Sequence, residues 1–286
     1  MSFLVVGNIT KDTLITKRGK FFTFGGTSYS GITASKLGYD SNILTKGNQT
    51  LDNWIRFLKK NNINVIFQKG KKATSIINDY TNHNRKQKLL ECTTKINFDI
   101  SKNLDIIHLN PIYREIDIEI VKKARERCEF LSLDIQGLVR DRKGNDIVTK
   151  FWNERKKYMR YIDFLKIGKY ELYLVSKKKN FRDICEDLKS FGAGIIGLTL
   201  GKKGSIIYDE DLYNIPAYKT KTVDETGAGD VYGASFSIKY FETKNIIDSA
   251  LFASASASFV VEGFGVKKIA VRNEVEKRYE FLKNKV

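Results

Sequence analysis

The 286-residue chain carries 50 Lys+Arg against 33 Asp+Glu, a formal charge of +17. A hydrophobic content of 42% and an aromatic content of 12% exclude a disordered chain and suffice for a sizeable core. No apolar run reaches the ~18–20 residues of a membrane helix, and Met1–Gly7 (MSFLVVG) reads as a first strand without the basic start of a secretion signal. Cys92, Cys128 and Cys185 are odd in number and widely spaced, which argues against a disulfide framework or thiolate zinc site and fits a cytoplasmic protein. The positive charge favours anionic partners. Its lysines are scattered, however, and no zinc-finger spacing or aromatic RNA-binding motif occurs, so a solvated basic surface is expected and nucleic acid is not.

In chain order, strands are expected at Leu4–Val6, Ser41–Thr45, Asp105–Leu109, Phe130–Asp134, Phe164–Ile167 and Ile195–Thr199. Helices are expected to begin near Ser30, Asp52, Glu115, Phe151, Glu171 and Asn180. Alternation of continuously apolar strands with amphipathic helices predicts an α/β fold with a mostly parallel sheet covered on both faces, and ligands at the strands' carboxyl ends. Two segments interrupt the pattern. Residues 12–24 and 73–93 read as hairpins, with turns at Lys17–Lys20 and Thr81–Asn84, inserted as a β lid into one domain spanning 1–286. Their Ile15, Phe21, Phe22, Phe24, Ile76, Ile77 and Tyr80 are too apolar to stand in water. Packing lid to lid in a homodimer, or folding onto the chain's own core, would cover them.

The densest chemistry lies in Val223–Asp230 (VDETGAGD), followed by a small-residue helix in which Val231, Ala234, Ile238 and Phe241 share a face. The loop Gly227-Ala228-Gly229 lets backbone N–H groups close on an anion at a helix N-terminus. Asp230 then sits in the first turn, where a carboxylate can take the proton of an alcohol attacking a phosphoryl group. Only His83 and His108 exist: His108 lies in an apolar strand and His83 in a hairpin turn, so histidine-based hydrolysis has little to work with. Neither a G-x-x-x-x-G-K-[ST] loop nor a G-x-G-x-x-G fingerprint is present.

The Asp224–Asp230 stretch resembles the signature of the ribokinase-like, PfkB-type carbohydrate kinases. Gly25-Gly26-Thr27-Ser28-Tyr29-Ser30 resembles that family's Gly-Gly loop and first helix, Thr199–Gly204 its nucleotide loop, and Phe252–Ala257 its adenine-lining helix. The resemblance implies a central parallel sheet between helices with a β lid. It implies an ATP-dependent kinase acting on a sugar, polyol or nucleoside. Asp230 would be the base, with Gly227, Ala228 and Gly229 as the anion hole. Thr199, Gly201, Gly204, Thr226 and Ser254 would hold the nucleotide, and Asp12, Gly25, Gly26, Tyr29, Ser30, Asn110, Gln136 and Arg140 the acceptor. Glu171 would assist Mg²⁺ through water, and Asp224 stands near the family's monovalent-cation site, so K⁺ dependence is implied. Residues 26–31, 84–91, 109–115 and 134–140 resemble archaeal myo-inositol kinase-type members. Two departures stand out: Ser30 replaces an Asn that contacts substrate hydroxyls, and Gly168 replaces the Asn of N-x-x-E. The alternatives are a nucleoside kinase of the same fold and a non-catalytic nucleic-acid-binding or regulatory protein that retains the fold.

Overall fold

Strand β1 (Ser2–Val6) is buried from Phe3 onward, and its side chains alternate between two cores. Phe3 and Val5 enter one cluster, Leu4 and Val6 the other. A strand apolar at both parities must be covered on both faces, and the two clusters are those faces. The computed structural model describes residues 1–17, 19–81 and 85–286. The turn positions Arg18 and Asn82–Asn84, with His83, lie outside them.

The first part of the chain continues through β2 (Ile9–Thr16), β3 (Gly19–Gly26), α1 (Thr27–Lys36), β4 (Asp40–Gly47), α2 (Asp52–Lys60), β5 (Ile63–Lys69), β6 (Ser75–Asp79), β7 (Lys86–Glu91) and β8 (Leu104–Leu109). Next come α3 (Ile118–Arg125), β9 (Cys128–Asp134), β10 (Arg140–Lys143), β11 (Asp146–Thr149), α4 (Lys156–Met159), β12 (Phe164–Gly168), α5 (Phe181–Lys189) and β13 (Ile195–Thr199). The last elements are β14 (Ser205–Asp209), β15 (Asp211–Ile215), α6 (Ala228–Thr243), α7 (Ile246–Val260) and α8 (Arg272–Lys283). A nine-stranded sheet runs β15-β14-β13-β12-β9-β8-β1-β4-β5. Strands β13 through β5 in that order pair in parallel, while β14 and β15 add an antiparallel edge. Helices α1, α2, α6, α7 and α8 contribute to the Phe3 core, and α3 and α5 to the Leu4 core.

The two hairpin segments hold β2–β3 and β6–β7, and they join into one six-stranded sheet through a parallel β2–β6 pairing. Its other edge is a hairpin, β10–β11, that the sequence reading did not anticipate. Most of the apolar side chains of this smaller sheet fold onto the chain itself. Phe21 stacks on Phe264, Phe24 stacks on Trp54, and Ile76 is buried; Phe22 stays 76% exposed.

Two helix expectations are corrected. After Glu171 there is only one 3₁₀ turn, Leu172–Leu174, and near Phe151 only the four-residue α4. Neither segment has a side-chain cap, whereas the helices at Asp117 and Asn180 are each capped by that side chain. Strand β5, buried only at Ile63 and Val65, was also unforeseen.

Candidate active site

Asn110 follows β8, Asp134 ends β9, Lys166 lies in β12 and Thr199 ends β13, so the carboxyl ends of four strands converge. Over them stands the N-terminus of α6. Its cap residue, Gly227, has φ +83°, and a Cβ there would fall 2.3 Å from the Tyr29 ring, so the turn requires glycine twice over. The Gly229 amide opens the helix without an intrahelical acceptor, which leaves it free for an anion, while the Ala228 amide makes a 3.3 Å bond to the Glu225 carbonyl.

Asp230 occupies the first turn of α6. Its Oδ1 accepts a 2.8 Å hydrogen bond from Asn110 Nδ2, and its carbonyl accepts one of 3.2 Å from Ser30 Oγ. Asn110 also donates to Ser30 Oγ at 3.3 Å, and both residues are fully buried. Ser30 and Asn110, expected at the acceptor, thus grip the Asp230 side chain and backbone. Burial, then the nearby Asp134, push Asp230 up to about 6, against the pull of Lys166 and Asn110.

The site includes a buried ion pair that the sequence reading missed. Lys166 Nζ lies 2.5 Å from Asp134 Oδ2, and both residues are almost wholly enclosed. Burial pulls the ammonium down, but Asp134, Glu171 and Asp230 outweigh it and Lys166 stays charged. A Cβ on Gly229 would sit 2.8 Å from Nζ, which puts a fixed positive charge beside the Gly227–Gly229 loop. The signal was available: a lysine inside the apolar run Phe164–Ile167 needs a partner.

Two cavities meet at this point. The smaller, about 50 Å³, is lined by Asp12, Gly26, Tyr29, Gln136, Arg140 and Asp230, with Arg85, Gln87 and Thr226 among the rest. Gly25 backs Asp12. Burial, opposed by the Thr10 hydroxyl and Arg140, raises Asp12 to about 7, and its Oδ1 has no protein partner. Gln87 Oε1 accepts from both Arg85 and Arg140 at 3.2 Å, while its amide donates to Asn78. The Tyr29 ring packs against Gly227 at the edge of this cavity, and its buried hydroxyl is unpartnered.

The larger cavity, about 1370 Å³, reaches from Gly227–Asp230 and Glu171 past Thr199, Gly201 and Gly204 to Ser254, Ala257 and Ser258. Asp230 and Gly227 line both cavities. Glu171 Oε2 accepts from the Gly168 amide at 2.7 Å, and burial with Asp134 raises this carboxyl. Asp224 Oδ1 accepts from the Thr226 amide and hydroxyl, leaving a buried Oδ2 unpartnered. His108 bonds Ser132 through Nδ1, and burial lowers its ring to about 4, so it is neutral at physiological pH.

Residues 55–271 match the family model of pfkB family carbohydrate kinases. The chain belongs to the PfkB carbohydrate kinase family, and its architecture is the ribokinase fold. A pyrophosphate-dependent kinase in the ribokinase family, solved with a pyrophosphate analog and myo-inositol, superposes with TM-score 0.85 and 27% identity over 96% of this chain and 99% of that one. Among curated relatives, a nucleoside kinase of Methanocaldococcus jannaschii is 32% identical over 57% of this chain and 51% of its own length. The inositol 3-kinase of Arabidopsis thaliana is 29% identical over 57% of this chain and 47% of its own. The matched part of the chain thus spans about half the length of these two relatives.

Proposed function

We propose that this protein transfers the terminal phosphoryl group of ATP to a hydroxyl of a compact polyol, with myo-inositol ranked first. The observation that carries the reading is that Asp230 and the Gly227 turn lie where the two cavities meet, beside Arg85, Gln87, Gln136 and Arg140. An acceptor hydroxyl in the smaller cavity gives its proton to Asp230 as its oxygen bonds to phosphorus, and the bond to the leaving diphosphate breaks. The amides of Gly227, Ala228 and Gly229 and the ammonium of Lys166 offset the charge on the transferring group. The smaller sheet is the lid, excluding water that would otherwise take the phosphoryl group.

Among the described residues, no cluster of three or more His, Cys, Asp or Glu could hold a metal ion. Mg²⁺ therefore belongs mainly to the donor phosphates and water, with the half-buried Glu171 carboxylate as the residue that would hold it through water. When bound it supplies charge neutralisation of the donor. The unpartnered Asp224 Oδ2 fits K⁺.

The acceptor cavity is electrically balanced, with Asp12 and Asp230 facing Arg85 and Arg140, which favours a neutral substrate. Asp12 Oδ1 and the Tyr29 hydroxyl lack partners and call for hydroxyl groups. For the donor, the length of the larger cavity and its small residues Ser254 and Ala257 suit a nucleoside. Pyrophosphate is the second reading, favoured by Lys169 and Lys202 on the cavity wall and by the pyrophosphate-dependent relative. A lid-to-lid homodimer would bury the exposed Phe22 and Leu90.

One assay tests these choices: kcat/KM for myo-inositol, fructose, ribose and several nucleosides, each with ATP–Mg²⁺ and pyrophosphate–Mg²⁺. Myo-inositol with ATP is expected to lead. Ribose or a nucleoside ahead by more than about tenfold, roughly 1.4 kcal/mol, overturns the acceptor assignment. Pyrophosphate ahead by that factor overturns the donor. No turnover with any pair, together with salt-sensitive retention on DNA or RNA, would support the non-catalytic alternative.

A further inference from the structure

Tyr80 directly follows β6 of the smaller sheet and is tied to it by a 2.8 Å bond from its amide to the Ile15 carbonyl. Its hydroxyl, however, lies 2.6 Å from Oγ1 of Thr226, the residue before Gly227. Thr226 Oγ1 is itself 2.7 Å from Asp224 Oδ1. An ionised carboxylate only accepts, so threonine spends its single proton on Asp224 and Tyr80 must donate to threonine. The chain of donors thus runs from the lid, through the anion loop, to a buried carboxylate. Tyr80 lines the larger cavity and Thr226 the smaller, so the contact bridges the partition between them. On the far side of the same loop the Tyr29 ring blocks Gly227 from below. Thr226–Gly227 is therefore gripped by Tyr29 from the body and by Tyr80 from the lid.

We propose that Tyr80 is a positioning residue, a latch through which lid closure over the acceptor sets the anion loop for transfer. This rests on the kinase reading. With the lid lifted, Thr226 keeps its bond to Asp224 but loses the restraint from above, and the Gly227–Gly229 amides are less well aimed. Closure then favours transfer to the acceptor over transfer to water, because the loop is best ordered when the acceptor is covered.

The experiment compares Tyr80→Phe, Thr226→Val and the double variant, after matched thermal melts. Tyr80→Phe is expected to lower kcat about five- to tenfold, in line with losing one hydrogen bond, and to raise the share of phosphoryl groups delivered to water. The same change should cost less than twofold in the Thr226→Val background, because the bond is already gone. Equal cost in both backgrounds, or an unmoved partition between acceptor and water, overturns the latch. Amide hydrogen exchange at 225–229 supplies a readout independent of turnover. It should quicken in Tyr80→Phe, and unchanged protection refutes the latch even if the parent phosphorylates nothing, an outcome that would separately refute the kinase reading.

Discussion

Asp230→Asn lowers kcat by about 10²–10⁴-fold, the usual worth of a general base, while fold and donor affinity persist. The variant is close to isosteric, and its amide oxygen can still accept from Asn110 Nδ2, so the 2.8 Å contact survives and only proton acceptance is lost. The pH profile carries the same signature. Asp230 sits near 6 and is active as the carboxylate, so kcat should fall as pH drops through about 6. Asp12, raised to about 7, adds a second acid limb in kcat/KM for the acceptor. In Asp230→Asn the residual kcat should lose its limb near 6. Stability has the opposite sign: a carboxyl whose folded pKa exceeds its unfolded value favours the folded state when protonated. The contributions of Asp12 and Asp230 are therefore full below about pH 4 and lost as pH rises through about 6–7. A kcat within a factor of three of the parent in purified, folded Asp230→Asn would remove it as the base.

Gly229→Val is the second large effect, an expected fall of about 10²–10³-fold in kcat with a much smaller change in donor affinity. The Cβ would meet Lys166 Nζ at 2.8 Å. Lys166 can retreat only by straining its buried pair with Asp134, where an unpaired charge is costly. The side chain also holds the phosphoryl group off the amides, whose bonds strengthen as charge develops in the transition state. Single-turnover kinetics beside calorimetric binding of a non-transferable ATP analogue separates the two. A variant that only weakened donor binding, with kcat intact, would deny the loop its role as anion hole.

The parallel sheet was legible in the sequence because strands such as Leu4–Val6 and Phe130–Leu133 are apolar at both parities, which water forbids unless both faces are covered. The helix start at Gly227 was legible because Gly227, Ala228, Gly229 and Asp230 are contiguous, so their geometry is local. The expected helix after Glu171 failed because periodicity is a weak guide where no cap stops the chain from closing in a single turn. Tertiary structure alone decided the partnerships. Lys166 was visible as a charge in an apolar strand, but Asp134 became its partner only when β9 and β12 paired. Ser30 and Asn110 looked like hands for the acceptor, yet α1, β8 and α6 converge so closely that both turn inward to hold Asp230. Periodicity along a chain reports whether a residue is buried. Which polar group it meets there depends on distant segments packing into one volume, where each buried donor or acceptor must find a partner or wait for a ligand.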